Sequence, residues 1–199
     1  MIEKLLEKMK EIIPVSDELW KDVQKHTKIM YLKRGEVLIP YSQVDTNAYL
    51  VVQGSFDASL ISLDGSRKTI WFYFDGLFDS IVCMDSYFLN QPTKYEITAL
   101  EDAIVFKVSK QEVDVLVEKY PAMNEFYRTD IIANFIKVDE IRNHMIAYTP
   151  KEFLAYLRTH YPEIFLRIPA KNIAHFMGIT PEWYSKIQRE AMLLSHKNE

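Results

Sequence analysis

The 199-residue sequence contains a single cysteine, Cys83. One thiol can form no intramolecular disulfide, no CxxC zinc site and no four-thiolate iron–sulfur cluster. That usage suits a reducing cytosol, so a cytoplasmic protein is expected. Histidine is missing from the middle of the chain: the five are His26, His144, His160, His175 and His196, so none lies between Lys28 and Asn143. A β-barrel built from that section could hold neither the histidine cluster of a metal-dependent barrel enzyme nor a histidine axial ligand for haem. Cys83 remains, but in the apolar run Ile81-Val82-Cys83-Met84 it reads as a small buried hydrophobe. No Ser-His or Cys-His pairing stands at a spacing that supports nucleophilic catalysis, so no enzyme is expected. No stretch approaches the roughly 18 consecutive apolar residues of a membrane span, and no membrane partner is expected.

Only five glycines are present, and four of them, Gly35, Gly54, Gly65 and Gly76, punctuate residues 28–108. Between them stand short runs rich in β-branched and aromatic residues: IMYLKR, EVLI, AYLVVQ, FDASLISL, KTIWFYF, EITAL and AIVFKV. Such runs read as strands and hairpins. Asp64-Gly65 sits between the alternating Phe56/Ala58/Leu60 and Ile70/Phe72/Phe74, which predicts a hairpin. A closed roll of strands follows. Ahead of it, Ile2, Leu5, Leu6, Met9, Ile12 and Ile13 recur at helical spacing between charges, which predicts one amphipathic helix and not a signal peptide.

After Lys110 the helical period returns. Residues 123–148 run without Gly or Pro, with Phe126, Ile131, Phe135, Val138, Ile141 and Met145 at three–four spacing and Ile132 and Ile136 alongside. Two readings stay open: a core helix against the roll, or a seam pairing with the same helix of a second chain. Thr149-Pro150 breaks it and starts a further amphipathic helix that ends near Tyr161-Pro162. In AKNIAHFMGITPEWYSKIQRE, Ala174 precedes Gly178 by four residues. The small alanine lets two helices cross closely and the glycine supplies a positive φ, as in a helix-turn-helix. Thr180 as N-cap, Pro181 at the first helical position and Glu182 in the first turn mark the second helix. With Tyr184 and Ile187 turned inward, its outer face carries Glu182, Ser185, Lys186 and Arg189, with Trp183 at the edge, side chains that suit base edges and phosphates. Charge agrees weakly: net charge is −4 overall, yet 7 Lys+Arg stand against 5 Asp+Glu after Tyr148.

These blocks, in this order, resemble the CRP/FNR family of bacterial transcription regulators. The resemblance is carried by YLKRGEVLI, AYLVVQGSFDASLI, TALEDAIVFKVSKQEVDVLVEKYP and RIPAKNIAHFMGITPEWYSKIQRE. It implies an α+β chain: a cyclic nucleotide-binding-like β-roll of the double-stranded β-helix (jelly-roll) type over 1–121, a long dimerisation helix over 122–148, and an all-α helix-turn-helix domain over 149–199. It further implies a homodimer on a palindromic double-stranded DNA operator, with RNA polymerase as a further partner and Thr180, Glu182, Trp183, Ser185, Lys186 and Arg189 facing DNA.

The family's cyclic-AMP cassette, F-G-E-L followed by R-S-A, falls on Phe78-Asp79-Ser80-Ile81 and Thr93-Lys94-Tyr95. Glycine has become aspartate, glutamate serine and arginine threonine. Losing the arginine removes a charge-assisted pair worth about 1.5 to 3 kcal/mol, and Lys94 lacks its planar fork. No cofactor is therefore expected, and cyclic AMP is not the expected effector. Either another molecule binds among Phe72, Phe74, Phe78, Tyr87, Phe88 and Tyr95, or no effector is needed. The alternative function is a ligand sensor or protein-interaction module whose last domain contacts protein.

Overall fold

The computed structural model describes residues 2–62 and 65–195, with side chains to residue 190. The Asp64 half of the Asp64-Gly65 turn and His196 lie outside the described residues.

Two four-stranded antiparallel sheets face each other. One runs β1 (Lys28–Leu32), β8 (Ala103–Ser109), β3 (Asn47–Gln53), β6 (Ser80–Val82); the other runs β2 (Val37–Ile39), β7 (Glu96–Ala99), β4 (Ser55–Ile61), β5 (Arg67–Phe74). Tyr49, Val51, Phe56, Ile81, Cys83, Ile97 and Val105 meet between them in a dry core. Strand alternation therefore turns Ala48, Leu50 and Val82 to the outer face. Cys83 is buried, and desolvation pushes its thiol up to about 11. It is a packed hydrophobe, as expected.

The β4–β5 hairpin forms, from Ser55↔Phe74 to Ile61↔Arg67, with a register shift at Ala58/Ser59. The shift leaves Ile70 of β5 as the extra residue, and the expected alternation breaks there: Thr69 is buried and Ile70 only half-buried. A bulge that adds one residue on a strand exchanges the faces beyond it. Gly54 makes the reversal between β3 and β4 at φ +102°, and a Cβ there would lie 2.6 Å from the Ala103 Cβ.

Where one amino-terminal helix was expected, two form. α1 (Glu3–Lys10) stops before Pro14, and α2 (Asp17–His26) starts on Ser16, whose hydroxyl accepts from Leu19 N–H. Met9, Ile13, Leu19 and Val23 pack on Leu116 of α4 (Lys110–Lys119) and on Met123 and Phe126 of α5. α5 spans Pro121–Ala147. α6 (Pro150–His160) opens on a capping box between Thr149 and Glu152, and α7 (Glu163–Arg167), α8 (Ala170–Phe176) and α9 (Pro181–Ser195) complete the chain. α3 (Met84–Leu89) follows β6, with Ser86 and Tyr87 buried.

Candidate functional site

The turn between α8 and α9 has the geometry that its residues demand. Ala174 is fully buried and its carbonyl accepts from Ile179 N–H at 3.0 Å. Gly178 sits at φ +68° with nothing within 4 Å of a Cβ position, so the glycine is required by backbone conformation and not by space. The Thr180 hydroxyl accepts from Trp183 N–H at 3.2 Å, which caps α9. Tyr184 and Ile187 are buried against Ile164, Ile168 and Ile173. That leaves Glu182, Trp183, Lys186 and Arg189 exposed on one face, with Trp183 47% accessible. Among the described residues neither Lys186 nor Arg189 makes an ion pair within 4 Å, although Lys186 joins Lys151 of α6 in holding the Glu190 carboxyl below its ordinary value. Ser185 differs from expectation: its hydroxyl donates to the Pro181 carbonyl at 2.9 Å, so it is engaged within the helix.

The six residues expected at a remnant ligand pocket do not converge. The Asp79 carboxylate is 2.6 Å from the Lys8 ammonium of α1, which also reaches Ser80 Oγ at 3.0 Å and Asp130 of α5 at 2.9 Å. Burial opposes the ammonium, yet Asp130 and then Asp79 hold Lys8 above its ordinary value. Ile81 is sealed in the roll core, Thr93 donates its hydroxyl to the Pro40 carbonyl at 2.8 Å, and Lys94 pairs with Asp85 at 2.7 Å. Tyr95 packs against the roll core. A phosphate placed here meets Asp79, and the cation beside it already bridges two carboxylates.

The aromatic set expected to cage a ligand is divided between two other places. Phe72, Phe74 and Phe78 join a core shared with Phe153, Tyr161, Ile164 and Phe176 of the carboxyl-terminal helices. Phe176 lies 4.7 Å from Phe72 and 5.6 Å from Trp71 between ring centroids. Asn172 donates to Thr69 Oγ1 at 3.2 Å, and Arg167 reaches both Asp75, at 2.9 Å, and Glu101, at 3.0 Å. These aromatics seat α8 on the roll. Tyr87 and Phe88 instead line a cavity on the outer face of β3 and β6. A sequence signal for the α8 seat existed: β5 is apolar on both of its faces, which marks a strand covered on both sides.

The expected dimer stripe also needs correction. Phe126 is 6% exposed in the core with α1 and α2, Ile141 is 1% exposed under the carboxyl-terminal helices, and Met145 packs beside it. None of the three can serve as a seam while held inside its own chain. Ile131, Ile132, Phe135, Ile136 and Val138 remain exposed, Phe135 at 65%.

Residues 29–120 match the cyclic nucleotide-binding domain family. The match spans the roll, a little under half of the chain. Over most of the chain the fold is shared with solved structures of low sequence identity. It is similar to the c-di-GMP responsive global regulator CLP of Xanthomonas campestris, with a TM-score of 0.68, 9% identity, and 90% of this chain and 93% of that one covered. It is similar to FixK2 of Bradyrhizobium japonicum, with a TM-score of 0.67, 14% identity and 85% and 86% covered. A CooA mutant of Carboxydothermus hydrogenoformans matches with a TM-score of 0.65, 16% identity and 86% and 79% covered. No curated protein is similar enough in sequence to count as a relative. No described helix is long and apolar enough to cross a membrane.

Proposed function

We propose that this chain is a homodimeric, sequence-specific DNA-binding transcription regulator of the CRP/FNR type that works without cyclic AMP. The observation that carries the reading is the outer face of α9. Lys186 and Arg189 stand there exposed and free of close ion pairs among the described residues, on a helix capped by Thr180 and set against α8 through Ala174 and Gly178. Exposed cations at such a face suit phosphates and guanine edges. The regulators that share the fold support the same role. The loss of cyclic-AMP response rests on Asp79 and on Thr93, whose hydroxyl is committed to the Pro40 carbonyl.

Selection of genomic fragments on the purified protein is expected to enrich a palindrome whose half-sites lie about 34–36 Å apart, one turn of duplex. Lys186→Glu is expected to abolish the enrichment while leaving the helical content unchanged. Calorimetry with cyclic AMP should show no heat of binding. Failure to enrich any sequence at low salt would refute DNA recognition, and micromolar affinity for cyclic AMP would refute the effector claim.

A further inference from the structure

A cavity of about 460 Å³ lies outside the roll, between the outer face of β3, β6 and β8 and the helices α1, α2, α4 and α5. Its volume falls within the roughly 300–1,000 Å³ of small-molecule sites. The walls are mostly apolar, with Leu5 and Met9 from α1, Leu50 and Val82 from the sheet, and Met123 and Phe126 from α5.

Two phenols interrupt the apolar lining. Tyr87 of α3 is nine-tenths buried, and Tyr127 of α5, half-buried, lines the same cavity. Both line the cavity, and among the described residues neither hydroxyl has a hydrogen-bond partner. Desolvation pushes Tyr87 up to about 12 and Tyr127 far above the ordinary phenol value, so both remain protonated donors. Neither hydroxyl is a sealed, unpaired polar atom, so both are open to the cavity and free to donate to a molecule in it.

Charge narrows the ligand class. Lys8 is held by Asp79 and Asp130, Lys110 by Asp114 at 2.9 Å, and Arg128 by both oxygens of Glu125. Lys107 stands 6.0 Å from the Tyr49 ring centroid, on the roll side of β8 where Val105 also points. An anion entering the cavity finds no uncommitted cation and meets Asp114 and Asp130. A neutral molecule pays no such desolvation penalty.

We propose that this cavity binds an uncharged, mainly apolar small molecule bearing a carbonyl acceptor, such as a ketone, lactone or quinone, whose oxygen is received by Tyr87 and Tyr127. The site overlaps the cyclic-nucleotide cassette only at Ser80, since Asp79, Ile81, Thr93, Lys94 and Tyr95 do not line it.

The test uses the full chain and prodan, a neutral naphthalene ketone whose emission moves to longer wavelength when its carbonyl accepts a hydrogen bond. Saturable binding at one probe per chain is expected. Tyr87→Phe and Tyr127→Phe should each weaken it on the order of tenfold, the loss of one buried hydrogen bond, and shift the emission to shorter wavelength. 2-Dimethylaminonaphthalene, which lacks the ketone, should bind the wild type and the double variant equally. Leu5→Trp, which fills the space from α1, should block both probes. The proposal is overturned by absence of saturable prodan binding, or by unchanged affinity and emission in the two Phe variants. Unfolding of the Phe variants would overturn it equally, because it would show the hydroxyls to be structural. None of these readouts involves DNA, so failure here and failure of the DNA-binding reading are separate results.

Discussion

Arg167, at the end of α7, places one guanidinium nitrogen 2.9 Å from Asp75 and 3.0 Å from Glu101, joining two turns of the roll to the helix that precedes α8. Its Cζ also lies 5.9 Å from the Phe74 ring centroid. The contact is partly exposed, so its net contribution is about 1 kcal/mol and not the full Coulomb energy. Arg167→Ala should lower stability in urea unfolding by that amount and expose the segment between α6 and α8 to limited proteolysis. Arg167→Lys should restore stability incompletely, because an ammonium lacks the planar guanidinium face that lies near the Phe74 ring. Equal protease resistance in wild type and Arg167→Ala would show that the bridge does not hold the helices on the roll.

The exposed and buried apolar residues of α5 should separate cleanly. Phe135→Asp is expected to convert a dimer to a monomer in light scattering with little loss of monomer stability. Ile141→Ala should cost about 2–5 kcal/mol, as for other large-to-small core changes, while leaving the association state of the folded fraction unchanged. Dissociation by Ile141→Ala at full folding would place the seam elsewhere.

The two strained glycines predict unequal penalties. Gly178→Ala adds a side chain in open space at φ +68° and should cost roughly 1–2 kcal/mol, the left-handed penalty alone. Gly54→Ala adds to that penalty a Cβ 2.6 Å from Ala103, so its cost should be clearly larger. Thermal unfolding of both variants decides the order.

His175, on α8, is depressed below its ordinary value first by desolvation, then by Lys68 and Lys171, with Asp57 opposing. A depressed folded value means that its contribution to stability is present above the unfolded value, 6.5, and is lost as pH falls through the folded one. Stability of the wild type should therefore fall below about pH 6.5, and His175→Gln should flatten that part of the profile. Identical profiles from pH 7 to 5 would refute the assignment.

Much of this architecture is legible from residue order. The runs that became β3, β4 and β5 carry period-2 patterning bounded by glycines, and Thr180-Pro181-Glu182 marks a helix start by three separate mechanisms. What escaped reading was short or shared. β6 is three residues long, and α7 only five, too few for any period to show. α2 was signalled by Pro14 and Ser16, but was masked by the longer apolar repeat ahead of it. Phe126 and Ile141 lie on the same sequence stripe as Phe135, yet tertiary neighbours from opposite ends of the chain cover them. Periodicity reports that a face is apolar and is silent on what covers it.

α5 has a mechanical consequence of its own. It is a 27-residue rod, about 40 Å long at the α-helical rise, with neither glycine nor proline after Pro121 to bend it. Phe126 is clamped at one end by α1 and α2, and Ile141 at the other by the carboxyl-terminal helices. A rotation imposed at Phe126 is therefore expected to reach Ile141, where α5 meets the mounting of α8 and α9.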